Sequence, residues 1–319
     1  SLIRLFDSAG TVLAWNDDMS DKVGFLHRDM GTNTHHADSY LRVELPADGL
    51  YRMEISDTQA HGGAEYGYRL RIGAPEPDFS LRICPSSVAM TGGQTTPLTV
   101  HVLRRDGFAG PIQLSLRDAP KGFLLQGGRI PRSCDRTRVT LTAPRKGKTR
   151  NVSLHFEGRA KIAGESVVRA AVPADNVMQA FLWRHLVTTD AFSARVKGAK
   201  WAPPPVHRVG EMTARVTRGG TVQVSFKRQM RKLLPGIEYS LSDPPPGLTI
   251  ENADQKPGLL TLTLRADAEA AKVGAAGNLI VNVFKTGMRG KSKKKKKWRW
   301  PIGVLPPIPL EIIAESPTR

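Results

Sequence analysis

Hydrophobic and polar residues alternate with a period of two in five short segments near the start of the chain. The segments are Leu2–Phe6, Thr11–Trp15, Ser39–Leu45, Leu50–Ile55 and Tyr66–Ile72. Successive side chains of a strand point to opposite faces of a sheet, so the alternation predicts five β-strands. Glycine and proline turns separate several of them, and residues 1–75 are therefore predicted to form one β-sandwich unit.

A second group of predicted strands follows a proline-containing linker, Ala74–Asp78. Two prolines within three residues interrupt hydrogen-bond ladders and stiffen the chain, which suits a boundary between domains. The strands predicted after this linker are Phe79–Ile83, Pro97–Leu103, Ile112–Leu116, Arg138–Thr142, Asn151–Phe156 and Val167–Val172.

An internal repeat organises the rest of the chain. Gly92-Gly93 and Gly219-Gly220 each precede a strand that ends in basic residues, and the turns and alternating strands that follow keep the same order and spacing. Each copy closes on a strand beside proline, Val167–Pro173 in the first and Ile308–Ile313 in the second. Two tandem copies of one sandwich are the economical interpretation.

The predicted fold class is therefore all-β, with three tandem β-sandwiches. Their ranges are 1–75, 76–173 and 174–319, and the third opens with a linker at 174–205. A lysine-rich loop at 287–300 is predicted to join the last two strands of the second copy. The 30 Gly, 23 Pro and 6% aromatic residues agree with many short strands and tight turns.

No stretch of the sequence approaches the roughly 20 apolar residues that cross a bilayer as a helix. The first residues lack a basic segment followed by an apolar signal core. Because a predicted strand starts at Leu2, the chain is expected to be the C-terminal portion of a longer protein whose targeting information lies upstream.

Positive charge is concentrated after the first unit. Residues 1–75 contain 7 Lys/Arg and 11 Asp/Glu, whereas the whole chain contains 47 and 29 and has a net charge of +18. A basic surface of this size attracts polyanions such as nucleic acid, acidic polysaccharide, teichoic-type polymers or lipid headgroups.

The densest positive charge lies in one run that should be exposed, because its side chains repel each other. Trp298 and Trp300 follow the lysines, and either they stack on bases or sugar rings of a bound polyanion or they return to the core. The candidate polyanion-binding residues are Lys291, Lys293, Lys294, Lys295, Lys296, Lys297 and Arg299.

Three motifs in the first unit resemble the later part of the bacterial pre-peptidase C-terminal domain. They are Asn16-Asp17-Asp18, Pro46–Tyr51 and Tyr66–Leu70, in the family's order. The resemblance implies a jelly-roll-like β-sandwich of the kind attached to secreted peptidases, here without its first strands. Similar domains in bacterial collagenases bind calcium and matrix protein. The two repeats more loosely resemble Ig-like modules of large envelope proteins in planctomycete-type bacteria.

Oxygen-bearing side chains flank the long polar loop of the first unit. Asn16, Asp17, Asp18 and Asp38 are hard ligands of the kind that Ca²⁺ binds, and a structural calcium is one interpretation of them. The alternative is turn chemistry, because Asn and Asp hydrogen-bond to neighbouring backbone. No other cofactor is predicted.

Cys84 and Cys134 lie about 50 residues apart within one predicted sandwich. Two facing strands could bring them together as a disulfide, and two buried thiols are the alternative, since cysteine also serves as a small core residue.

The sequence contains no G-x-S-x-G, H-E-x-x-H or P-loop motif. We therefore expect a non-catalytic spacer or adhesion region of a larger secreted or cell-surface protein, located outside the cytoplasm. Its partners would be the remainder of the parent polypeptide and an anionic polysaccharide or other polyanion. A polyanion- or carbohydrate-binding module and an accessory region of a secreted hydrolase remain alternatives.

Overall fold

The computed structural model describes residues 1–17, 32–33, 39–179, 183–199, 206–228, 235–289 and 296–315, without the side chains of residues 32, 33, 179, 183, 289 and 296. The described residues are all-β, and no helix occurs among them. The predicted fold class is thus confirmed. Contacts divide the chain into two compact units. The first comprises Ser1–Phe79, Leu103–Phe108 and Asp175–Val187, and the second comprises Ser80–Val102, Ala109–Ala174 and Thr188–Arg319.

The first unit contains a three-stranded antiparallel sheet. The first four strands of the chain are β1 (Leu2–Phe6), β2 (Val12–Asn16), β3 (Thr32–Asn33) and β4 (Arg52–Ser56). The sheet order is β2-β1-β4, and β3 lies outside this sheet. Leu5 and Phe6 of the central strand are buried, and the guanidinium of Arg52 lies 4.4 Å from the centre of the Phe6 ring.

The prediction is wrong for two strands of the first unit, because the described structure has no strand at Ser39–Leu45 or at Tyr66–Ile72. Alternation gives a strand only where a neighbour accepts its hydrogen bonds and covers its apolar face. Tyr68 is instead 77% exposed. Tyr40 is held by a side-chain bond: its hydroxyl donates to Oδ1 of Asp106 at 2.5 Å.

Asp106 fixes two segments of the first unit. Its carboxylate accepts hydrogen bonds from the Tyr40 hydroxyl and, at 2.8 Å, from the backbone N–H of Glu76. The bond from Tyr40, reinforced by that from Glu76, lowers the pKa of Asp106 despite partial burial. The segment around Tyr40 is therefore ordered by a hydrogen bond rather than by a sheet.

The two sequence copies form successive sandwiches. Strands in and beside the first copy are β5 (Asp78–Cys84), β6 (Ser87–Thr91), β7 (Thr95–Arg105), β8 (Ile112–Arg117), β9 (Leu124–Gln126), β10 (Arg129–Ile130), β11 (Arg136–Thr142), β12 (Arg150–Ile162), β13 (Glu165–Gln179), β14 (Trp183–Thr188) and β15 (Phe192–Lys197). Those of the second copy are β16 (Val206–Val209), β17 (Ala214–Thr217), β18 (Thr221–Arg228), β19 (Ile237–Ser242), β20 (Leu248–Lys256), β21 (Leu259–Ala266), β22 (Ala276–Arg289), β23 (Lys296–Val304) and β24 (Ile308–Ile313).

Most strand pairings of copy 1 have a counterpart in copy 2, but the β13–β5 and β10–β8 pairs of copy 1 have none among the described strands of copy 2. The order β5-β7-β11-β9 in copy 1 matches β16-β18-β21-β20 in copy 2. Among the remaining strands, β12 pairs with β8, β13 and β15, just as β22 pairs with β19, β23 and β24. The parallel pair β15–β6 likewise matches β24–β17. The two copies thus share most of their strand topology.

The cores follow the period-two pattern of the strands. Every second residue of β21, from Leu260 to Ala266, is fully buried in copy 2, and β15 alternates buried and exposed residues from Phe192 onward. In copy 1, Phe192 meets Phe156 edge to face with ring centres 5.0 Å apart. Such aromatic pairs add to the stabilisation from apolar burial.

The structure pairs the last strands of the two copies differently from the sequence prediction. The prediction equates Val167–Pro173 with Ile308–Ile313, but the strand equivalent to β24 is β15, which lies within the predicted linker 174–205. Strand β13 instead corresponds to β23, the strand that carries the two tryptophans. Most of the lysine run therefore lies between β22 and β23 in the chain, and its last two lysines belong to β23, so the run does not lead directly to the last strand.

Charged side chains join the two sandwiches within the second unit. Arg136 Nη2 lies 2.6 Å from Oδ2 of Asp243. Arg138 Nη1 donates to the carbonyl and the hydroxyl of Ser242 at 2.9 and 2.7 Å. Burial lowers the pKa of Arg138, while the nearby carboxylate of Asp243 opposes that shift. Strand β11 of copy 1 thus contacts the last residue of β19 and the residue that follows it in copy 2.

Asn278 of β22 completes this junction. Its Nδ2 donates to the carbonyls of Gly127 and Arg138, each at 2.7 Å. A Cβ added to Gly127 would lie 2.7 Å from the same Nδ2, and the φ of Gly127 is +80°. Glycine is therefore favoured at position 127 both by backbone conformation and by the close approach of the second sandwich.

Candidate functional site

The β22–β23 hairpin forms a two-stranded ribbon whose turn contains most of the lysine run. Trp298 and Trp300 are two residues apart on β23, so their side chains lie on the same face. Their cross-strand partners on that face are Gly287 and Lys285 respectively. Lys285 Nζ donates a hydrogen bond to the Pro235 carbonyl. The face thus combines two indoles with an ammonium group.

The two tryptophans are placed differently on this face. The Trp298 indole covers Gly287, because a Cβ built on that glycine would lie 2.7 Å from Nε1 and 2.8 Å from Cε2. Trp298 is 38% exposed and Trp300 is 68% exposed. Of the two interpretations offered by the sequence, return to the core is therefore wrong for Trp300, and Trp298 packs on the ribbon rather than inside the sandwich.

The opposite face of the ribbon holds two of the predicted polyanion-binding residues. Arg299 Nη2 lies 2.8 Å from Oε1 of Glu238, and its guanidinium stands 3.3 Å above the centre of the Phe284 ring. Lys297 Nζ is 3.8 Å from the same carboxylate. Glu238 thereby positions both cations and partly offsets their charge. Exposed pairs of this kind exchange readily with other anions.

Of the other five predicted polyanion-binding residues, only Lys296 lies within the described ranges. Lys296 begins β23, and nothing further is described of its side chain. Four residues lie outside the described ranges: Lys291, Lys293, Lys294 and Lys295. Their assignment as ligands stays a prediction. What the structure fixes is their place in the chain, between two paired strands whose last described pair is Arg289 with Lys296.

The equivalent hairpin of copy 1 has no lysine in its turn and no tryptophan in its strands. Strands β12 and β13 pair to Ile162 and Glu165, so Ala163 and Gly164 alone make the turn. No aromatic residue occurs in Glu165–Gln179. Because the two copies share most of their strand topology, the lysine-rich turn and the indoles of copy 2 are not requirements of the fold.

The predicted calcium ligands lie at the end of β2. Oδ1 of Asn16 accepts a hydrogen bond at 3.1 Å from the backbone N–H of Tyr40, on the far side of the polar loop. Asp17 is exposed, while Asp18 and Asp38 lie outside the described ranges. Within residues that the structure describes, no group of three or more His, Cys, Asp or Glu side chains could hold a metal ion. Calcium binding by this loop stays a prediction.

Cys84 and Cys134 are thiols rather than a disulfide in the structure. Cys84 is buried at the end of β5, as expected of a small core residue. Cys134 is half-buried before β11, and its Sγ donates to the Arg136 carbonyl at 3.0 Å. Of the two alternatives that the sequence left open, the structure contains the thiol form.

Sequence reasoning does not single out Lys285 or Gly287 as parts of this site. Both lie on β22, and only the strand register shows that they face the tryptophans. A glycine opposite an aromatic residue is a known way of supporting a ring on a sheet surface. The available signal was the glycine inside an otherwise regular strand, which indicates close approach by another group.

No family model matches the chain, and no curated protein has significant sequence similarity to it. Among the residues that the structure describes, no helix is long and apolar enough to cross a membrane.

Proposed function

We propose that this chain is a non-catalytic binding and positioning region of a larger extracytoplasmic protein, and that it attaches to polyanions through the β22–β23 ribbon. The observation that carries this proposal is the pairing of an exposed indole face with a lysine-rich turn on one hairpin. Neither feature occurs in the equivalent hairpin of copy 1. The resemblance of the first unit to the pre-peptidase C-terminal domain supports the extracytoplasmic setting.

The two halves of the ribbon would act differently on a polyanion. Lysines attract a charged polymer through long-range forces and release its counterions, which makes the affinity depend steeply on salt. An exposed indole stacks on a planar base or sugar face, and this contribution depends little on salt. Trp300 is the more accessible of the two rings, so we assign the stacking contact to it.

The test measures affinity for heparin and for a single-stranded oligonucleotide at several salt concentrations. Replacing Lys293 to Lys297 by Ser should reduce the slope of log affinity against log salt by up to about 1 for each lost contact. Trp300→Ala should lower the affinity at every salt concentration with little change of slope, by about 1–3 kcal/mol when the ligand offers rings to stack.

A matched control removes the same charge from other exposed positions. It replaces by Ser the five lysines Lys121, Lys161, Lys227, Lys256 and Lys272. Under the proposal this control changes the slope much less than the ribbon variant. Equal changes would mean diffuse attraction to a basic protein, and the ribbon would then have no assigned function.

A further inference from the structure

A second concentration of positive charge lies in copy 1, in the connection from β11 to β12. Four of the six residues from Arg145 to Arg150 are basic and none is acidic. Together with Lys197 at the end of β15, they line an open depression, and none of the described residues in its walls is acidic. All five basic side chains are on exposed residues.

Backbone contacts hold this depression in shape. The N–H of Gly92 donates to the carbonyl of Lys197 at 3.0 Å, and the N–H of Gly198 donates to Oγ1 of Thr149 at 3.1 Å. A Cβ on Gly198 would lie 2.7 Å from the Gly147 carbonyl oxygen. The connection is therefore fixed against the ends of β6 and β15, so its cations are held around one place.

The equivalent connection of copy 2 shows that the fold does not need these cations. Residues 267–275 join β21 to β22 and contain Asp267, Glu269 and a single lysine, Lys272. Asp267 caps this turn through its own side chain, whose Oδ1 accepts the N–H groups of Glu269 and Ala270 at 2.9 and 2.8 Å. The same topological position thus tolerates the opposite charge.

Like charges gathered in one depression repel each other, and an anion placed among them relieves the repulsion. Lys146, Lys148, Arg150 and Lys197 have no ion pair with any carboxylate that the structure describes. The geometry points to a binding site for a tetrahedral oxyanion, the phosphate or sulfate group of an anionic polymer. This site goes beyond the proposed function of the ribbon, because it lies in the other copy and uses none of the ribbon residues.

The experiment is a calorimetric titration in a chain whose Lys293 to Lys297 are replaced by Ser, so that the ribbon does not contribute. Sodium tripolyphosphate and sucrose octasulfate are the two probes, at a constant ionic strength of about 50 mM. Tighter binding of tripolyphosphate identifies phosphate as the preferred group, and tighter binding of sucrose octasulfate identifies sulfate. Adding Lys146→Ser and Lys148→Ser should lower the affinity for the preferred probe by about tenfold.

Two further variants distinguish binding at this depression from non-specific attraction to a positively charged protein. Lys161→Ser with Lys227→Ser removes equal charge from other exposed strand positions and should change the affinity less than about twofold. Gly198→Ala keeps every charge but displaces the connection, and it should weaken binding by about fivefold. The proposal is overturned by absence of binding for both probes, by equal losses in the two lysine pairs, or by unchanged affinity in Gly198→Ala. None of these results depends on the fate of the ribbon proposal.

Discussion

His101 lies in the core of copy 1 with 4% of its surface exposed. Its Nδ1 is buried without a hydrogen-bond partner among the described atoms, and Arg136 lies opposite it on β11. Burial, assisted by the positive charge of Arg136, lowers the pKa of His101 to about 4. The imidazole is therefore neutral in the folded protein over the range in which it gains a proton in the unfolded chain.

This difference makes stability depend on pH. Between about pH 6.5 and pH 4 the unfolded chain binds more protons at this residue, so the free energy of unfolding falls as the pH is lowered. From pH 7 to pH 4.5 the loss should be about 2–3 kcal/mol. Urea unfolding at both pH values measures it. His101→Leu should remove most of this loss, whereas exposed His155→Gln should retain it, and a similar pH dependence in all three proteins would contradict the assignment.

The sequence predicts the environment of a residue well when that residue type usually occurs in one environment. It does not predict the environment when this depends on the register between neighbouring strands. A buried thiol at Cys84 was one of two alternatives, the other being a disulfide with Cys134, because the sequence does not give the distance between the two sulfur atoms. The tryptophans could not be placed, because a residue's face depends on which strand lies beside it. The Trp298 contact with Gly287 follows from that register alone.

The ribbon gives a prediction at the scale of a structural element. Gly287→Ala adds a Cβ where the Trp298 indole now lies, and the ring can move aside because it is the far end of a side chain. The fold should lose less than about 1 kcal/mol of stability. Tryptophan fluorescence should shift to longer wavelength as the indole becomes more exposed.

Gly303→Ala in the paired strand β23 is the matched control, since a Cβ there would meet no atom within 4 Å. Its spectrum should equal that of the wild type. A Trp298→Phe background should abolish the shift caused by Gly287→Ala. If the shift persists in that background, another tryptophan produces it and the described contact is not its cause.

Strands were predictable where apolar and polar residues alternate and where the sequence repeat also predicts a neighbouring strand. Strands β11 and β21 are examples, and both are central in their sheets. The segment Tyr66–Ile72 has the same alternation but pairs with none of the described strands, and it is not a strand. Strand β15 alternates clearly, yet six residues among prolines and polar residues do not reveal that they pair with β12. Pairing is a long-range property that local pattern leaves undetermined.

At the scale of the whole chain, Asn278 is a central contact of the described junction between the two sandwiches. Asn278→Ala removes both hydrogen bonds to the Gly127 and Arg138 carbonyls. Leaving such part-buried acceptors without a donor should lower the free energy of unfolding by about 1–2 kcal/mol. Denaturant unfolding measures this loss. Exposed Asn151→Ala is the control and should change stability by less than about 0.5 kcal/mol, and an equal midpoint for both variants would refute the role given to Asn278.

The parallel strand pairs have a consequence for a chain that is pulled from its ends. In copy 1, β6 runs alongside β15 from Ser87 to Thr91, and in copy 2, β17 runs alongside β24 from Ala214 to Thr217. In each pair one strand lies near the start of its sandwich and the other ends it. Tension would drag the two strands lengthwise past each other, so their hydrogen bonds would bear the load together instead of opening one by one. Each sandwich is thereby built to resist stretching along the direction of the polypeptide.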